Sequence, residues 1–157
     1  MKASIMAFML FAVAFFASPV SSFAQQKKAP VIKSAYYGKG KSAILSPTGK
    51  EPWVADGVDF RPIDFLVGGY GTCMMSMMDR DAGKNGFNLS KARTEITSEF
   101  DNDNGRVGKI NIKCFIQKGD YTAEQKKIME TAAKNCPIGN SLHPDIEKNI
   151  EFLYGVE

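Results

Sequence analysis

The sequence predicts an α+β domain in which antiparallel sheets pack around one long central helix. Three observations predict it. Residues 31–55 and 94–116 mix β-branched and aromatic side chains in strand-like alternation, residues 62–84 carry apolar side chains at helical spacing, and a capped second helix with a final strand follows. The order of strands, long helix, strands, helix and strand suits an α+β arrangement and not a doubly wound parallel sheet.

The chain has 157 residues, and its first part stands apart from the rest. Lys2 precedes a nearly uncharged run from Ile5 to Val20, closed by Ser21, Ser22, Phe23 and Ala24. A charged start, an apolar middle and small residues before a cut describe a secretory signal peptide. The run is short for a bilayer span and no basic stop-transfer cluster follows it. The expected organisation is a signal peptide at 1–24, a flexible lead-in at 25–30 and one domain at 31–157. The mature protein is therefore expected to be exported, periplasmic or secreted, with no stable membrane insertion after cleavage.

Within the domain, Gly38-Lys39-Gly40 and Pro47-Thr48-Gly49 supply the turns of an antiparallel meander that ends at Trp53, Val54 and Ala55. Pro62 suits the first turn of the long helix and Gly86 its exit. Leu66, Tyr70, Cys73 and Met77 form one apolar face, with Phe65, Met74 and Met78 beside it, so the helix is expected to be buried on most of its circumference. Gly68, Gly69 and Gly71 lie inside it at about 1 kcal/mol each against Ala, which calls for a close neighbour. Thr94, Ile96, Ser98 and Phe100 then alternate with polar residues, as do Ile110, Ile112, Cys114 and Ile116 beyond a turn at 101–105, giving a hairpin with one inward face. Thr122 with Gln125 makes a capping box, Cys136-Pro137 interrupts that helix and starts a short one, and Ile146, Ile150, Phe152 and Tyr154 mark the last strand.

The formal charge is +3, with Lys and Arg scattered among acidic residues, which argues against a nucleic-acid partner. One histidine, His143, stands beside Pro144 and reads as a turn residue, so no metal site is expected. The chemistry therefore rests on three cysteines. An odd number in an exported chain leaves at least one thiol unpaired. Cys114 falls on the inward face of a strand and reads as core. Cys136 opens a helix, where unpaired backbone N–H groups are expected to lower its pKa. Cys73 sits in mid-helix and needs a nearby cation or hydrogen-bond donors, for which Arg61, Arg80, Lys39 and Lys41 are the candidates.

Two segments carry a family resemblance. Pro62-Ile63-Asp64-Phe65-Leu66-Val67-Gly68-Gly69-Tyr70-Gly71-Thr72-Cys73, followed at a long interval by Cys136-Pro137-Ile138-Gly139-Asn140-Ser141-Leu142, resembles the two cysteine motifs of the osmotically inducible protein C and organic hydroperoxide resistance (OsmC/Ohr) family. The resemblance covers most of the domain. It implies an OsmC-like fold, an intertwined homodimer, and a cysteine-based peroxidase that needs no cofactor. Cys73 is implied to attack the O–O bond of a small-molecule organic hydroperoxide, and Cys136 to condense with the resulting sulfenic acid, giving a disulfide that a dithiol reductant must open. The family's acid falls one residue after the motif proline. Here Ile63 occupies that place and Asp64 follows, while Lys39 stands in for an arginine of the early meander. Tyr70, Met74 and Met77 are the expected substrate-binding residues, with Arg61 and Lys39 as thiolate-stabilising candidates. Two readings stand beside the enzyme: a lasting structural disulfide, at about 4 kcal/mol in the chain-entropy model, and a groove for a small hydrophobic ligand.

Overall fold

A computed structural model describes residues 30–58 and 60–156; the expected signal peptide and nearly all of the lead-in lie outside them. The first strands are β1 (Lys33–Gly38), β2 (Lys41–Leu45) and β3 (Trp53–Ala55), paired antiparallel in that order. Gly38, Lys39 and Gly40 all have positive φ, so two glycines flank the one side chain that bears the strain of this tight turn. The sheet makes its substantial contacts with itself. Tyr36, Tyr37, Trp53 and Val54 stand exposed on it.

Helix α1 (Pro62–Lys84) starts on Pro62 and on a reciprocal cap between Arg61 and Asp64. It ends at Asn85, with Gly86 at positive φ just beyond. Its buried stripe is Val67, Tyr70, Gly71, Met74, Met78 and Ala82. The expectation of burial around most of the helix is corrected here, because Leu66 is 41 % exposed and Gly68 and Thr72 also face outward.

The second sheet is built from β4 (Ala92–Asp101), β5 (Arg106–Gln117) and β6 (Glu147–Val156). Strands β4 and β5 form the antiparallel hairpin, with Ile96 opposite Ile112. Strand β6 instead runs parallel to β5, Ile150 pairing with Ile112, so this sheet is mixed and not wholly antiparallel. The reason is the crossover: α2 (Ala123–Lys134) and α3 (Pro137–Ser141) lie between the two strands and carry the chain back along the sheet. A second correction concerns Phe100. The register shifts between Glu99 and Phe100, with Gly108 the unmatched residue on β5, and Phe100 turns outward at 60 % exposure.

Alternation on β5 buries Val107, Ile110, Ile112, Cys114 and Ile116 against Tyr70, Met74 and Met78 of α1 and Met129 of α2. Each of the larger side chains contributes about 1.5–3 kcal/mol by leaving water. The capping box of α2 forms as expected, the Gln125 N–H donating to Thr122 Oγ1 at 3.2 Å. Among the described residues no helix is long and apolar enough to cross a membrane.

Candidate active site

The site is assembled from α1 and α3, two elements distant in sequence that pack on each other. Cys136 is the N-cap of α3, with an extended backbone (φ −66°, ψ 139°) that Pro137 at the first helical position favours. Its Sγ accepts the Gly139 N–H at 3.2 Å, and the side chain is fully buried. The Cys73 side chain stands next to it, half-buried on α1. Both thiols are free.

The expected low pKa of Cys136 is corrected by this geometry. Burial is the largest influence and raises it; the Gly139 N–H opposes the rise, the neighbouring Cys73 thiol adds to it, and the Ile138 N–H opposes it more weakly. Five residues make a helix too short for its dipole to overturn the loss of solvent. At neutral pH Cys136 is thus a thiol held in place by a backbone N–H.

Tyr70, one helical turn before Cys73, is 2 % exposed. A Cβ built on Gly139 would come within 2.6 Å of its ring and 3.0 Å of its hydroxyl, so the ring fills the space that this glycine leaves. Burial raises the Tyr70 pKa, and the nearby Cys136 and Cys73 raise it further. Beside this cluster, an apolar cleft of about 350 Å³ runs between α1 and α3, lined by Phe65, Leu66, Gly69, Ile138 and Leu142.

The other expected site residues lie elsewhere. Arg61 and Asp64 pair with each other at 2.9 Å at the start of α1. Nine residues separate Asp64 from Cys73, about 13 Å along a helix axis. Lys39 is at the tip of the β1–β2 turn. Arg80 pairs with Asp81 at 3.0 Å. Met74 is fully buried in the core, whereas Met77 lines a groove of about 790 Å³ between α1 and α2. Cys114 is buried, and burial pushes its thiol up to about 11. His143 stands beside Arg106 and Asp145 at a turn. Sequence reasoning anticipated backbone N–H groups at the Cys136 sulfur without naming Gly139, and it missed the α1–α3 cleft. The Cys-Pro pair was the signal for the first, since it sets a sulfur at a helix start; nothing in the local pattern signalled the second.

The OsmC-like protein family model matches residues 55–151, a span that contains both cysteines and all of α1, α2 and α3. The chain belongs to the OsmC-like family. No curated protein matches the sequence. The OsmC-like fold recurs in a putative osmotic stress induced and detoxification response protein from Psychrobacter arcticus, at 21 % identity and TM-score 0.70, with 77 % of this chain and 93 % of that one covered. It recurs in an OsmC-like protein from Mycoplasma pneumoniae at 16 % identity and TM-score 0.70, covering 83 % and 99 %. The organic hydroperoxide resistance protein OhrB of Bacillus subtilis is similar at 15 % identity and TM-score 0.58, covering 78 % and 97 %. At these identities the likeness is one of fold.

Proposed function

We propose that the chain is a thiol peroxidase for organic hydroperoxides, with Cys73 as the attacking thiol and Cys136 as the one that closes the disulfide. The observation that carries this reading is the adjacency of the two free thiols, one half-buried and the other fully buried. The Cys73 thiolate takes the terminal oxygen of the hydroperoxide; the S–O bond forms, the O–O bond breaks, and the alkoxide leaves as an alcohol after gaining a proton. Cys136 then forms the S–S bond and water departs. A dithiol returns the pair to the reduced state. The α1–α3 cleft suits the carbon tail of the peroxide, since its lining is apolar and it borders Gly69 and Ile138.

The reading includes an exported homodimer in which a second copy covers the exposed Tyr36, Tyr37, Trp53 and Val54. A Trp53→Asp variant that remains dimeric in sedimentation would remove that interface from the proposal. For the activity, the reduced protein is mixed with cumene hydroperoxide and thiol loss is followed by stopped flow. Fast loss that vanishes in Cys73→Ser, with a Cys73–Cys136 disulfide as product, supports the enzyme. Loss no faster than that of a free thiol leaves the structural disulfide, a reading that the full burial of Cys136 favours.

A further inference from the structure

Closing a disulfide between a sulfenic acid and a thiol moves one proton as well as two electrons. The hydroxyl on Cys73 must leave as water and needs a proton; Cys136 must lose one. Cys136 is fully buried, and the backbone N–H groups beside its sulfur are donors, which cannot accept the proton. A group near the two sulfurs that both accepts and donates can carry that proton from Cys136 to the departing hydroxyl.

Tyr70 meets that description. Its hydroxyl makes no hydrogen bond among the described residues, although the residue is 98 % buried as the complement of its 2 % exposure. No described buried polar atom is both sealed and unpartnered, so this hydroxyl keeps some exposure. Its ring lies against Gly139, the residue whose N–H holds the Cys136 sulfur. It also precedes Cys73 by one turn on the same helix.

We infer that Tyr70 is the proton relay of disulfide closure, its oxygen accepting the Cys136 S–H proton while its own O–H proton passes to the hydroxyl leaving Cys73. The balance is complete: Cys73-SOH and Cys136-SH give Cys73–S–S–Cys136 and water, the S–O and S–H bonds break, the S–S bond and a new O–H bond form, and Tyr70 ends as it began. The sulfur of Cys73 is reduced from its sulfenic state and that of Cys136 oxidised. The raised pKa of Tyr70 keeps its proton in place until the step begins. This inference rests on the proposed peroxidase reading and extends it to the second step.

The test uses Tyr70→Phe, which keeps the ring against Gly139 and removes only the oxygen. After one equivalent of cumene hydroperoxide, the closing rate is expected to fall about 100-fold, the scale of a lost general acid–base. Cys73 sulfenic acid should accumulate and be trapped by dimedone. Closing in the intact protein should slow in deuterium oxide, and the variant should lose that dependence; a packing role for Tyr70 would leave it unchanged. Closing at the original rate in Tyr70→Phe, with sulfenic acid formed in both proteins, overturns the relay alone. Failure of the intact protein to form sulfenic acid at all overturns both the relay and the peroxidase reading.

Discussion

The Tyr70 ring occupies the volume where Gly139 has no side chain. Helix α3 can approach α1 closely only because residue 139 is glycine. Gly139→Ala should therefore lower stability by about 1–3 kcal/mol through overpacking, read from the denaturation midpoint. Adding Tyr70→Leu should recover part of the loss, and additive effects in that double-mutant cycle would deny the contact.

Two helix glycines make a sharper pair. A Cβ at Gly71 would meet Thr94 Oγ1 at 2.5 Å and Ile96 Cδ1 at 2.6 Å, whereas one at Gly68 meets nothing within 4 Å. Alanine gains up to about 1 kcal/mol of helix propensity at either site. At Gly71 the clash with β4 outweighs it, so Gly71→Ala should destabilise and Gly68→Ala should stabilise in thermal unfolding. The close neighbour expected for all three glycines is thus real at Gly71, is an ordinary contact with Ile138 at Gly69, and is missing at Gly68 within the described residues.

Asp64 accepts the Arg61 N–H at 2.7 Å and its guanidinium at 2.9 Å, which hold the carboxyl below its usual range, chiefly through the Arg61 side chain. A depressed carboxylate stabilises above its unfolded pKa and loses that contribution as pH falls through the folded one. Asp64→Ala should lower Tm by a few degrees at pH 6, and the gap should close in acid below about pH 4. The rate of Cys73 oxidation should be unchanged; a large fall would return Asp64 to the chemistry.

Burial raises the Cys114 thiol to about 11 from an ordinary value of 9.0. The folded state then holds its proton more tightly than the unfolded one, so stability is full below pH 9 and declines as pH rises toward 11. The decline should be on the order of 2 kcal/mol and should vanish in Cys114→Ala. In native protein Cys114 should resist alkylation that modifies Cys73, and should react once the chain is unfolded.

The elements of this domain were legible because each follows a local rule. Pro62 starts a helix, Thr122 with Gln125 caps one, Gly38 and Gly40 turn a strand, and β5 alternates. Strand direction was not legible, since β6 has the same alternation whether it runs with or against β5, and only the path of α2 and α3 decides. Gly108 was a readable sign of the bulge that turns Phe100 outward. At the site, the sequence supplied the two cysteines and the aromatic one turn before Cys73. Their environment came from packing: burial overrides the helix start at Cys136, and Arg61 is taken by Asp64. Solvent access and competing partners are properties of three-dimensional neighbours, which spacing along one helix does not reveal.

Strands β5 and β6 run the same way, and Cys136 rides in the link between them. A polypeptide still lacking residues 147–156 already holds all three cysteines, yet nothing pins the returning segment at both ends. Premature oxidation at that stage would choose among sulfurs by chance encounter, with Cys114 a contender that the finished β5 hides. The order of β6 docking relative to oxidation therefore bears on which bond is made.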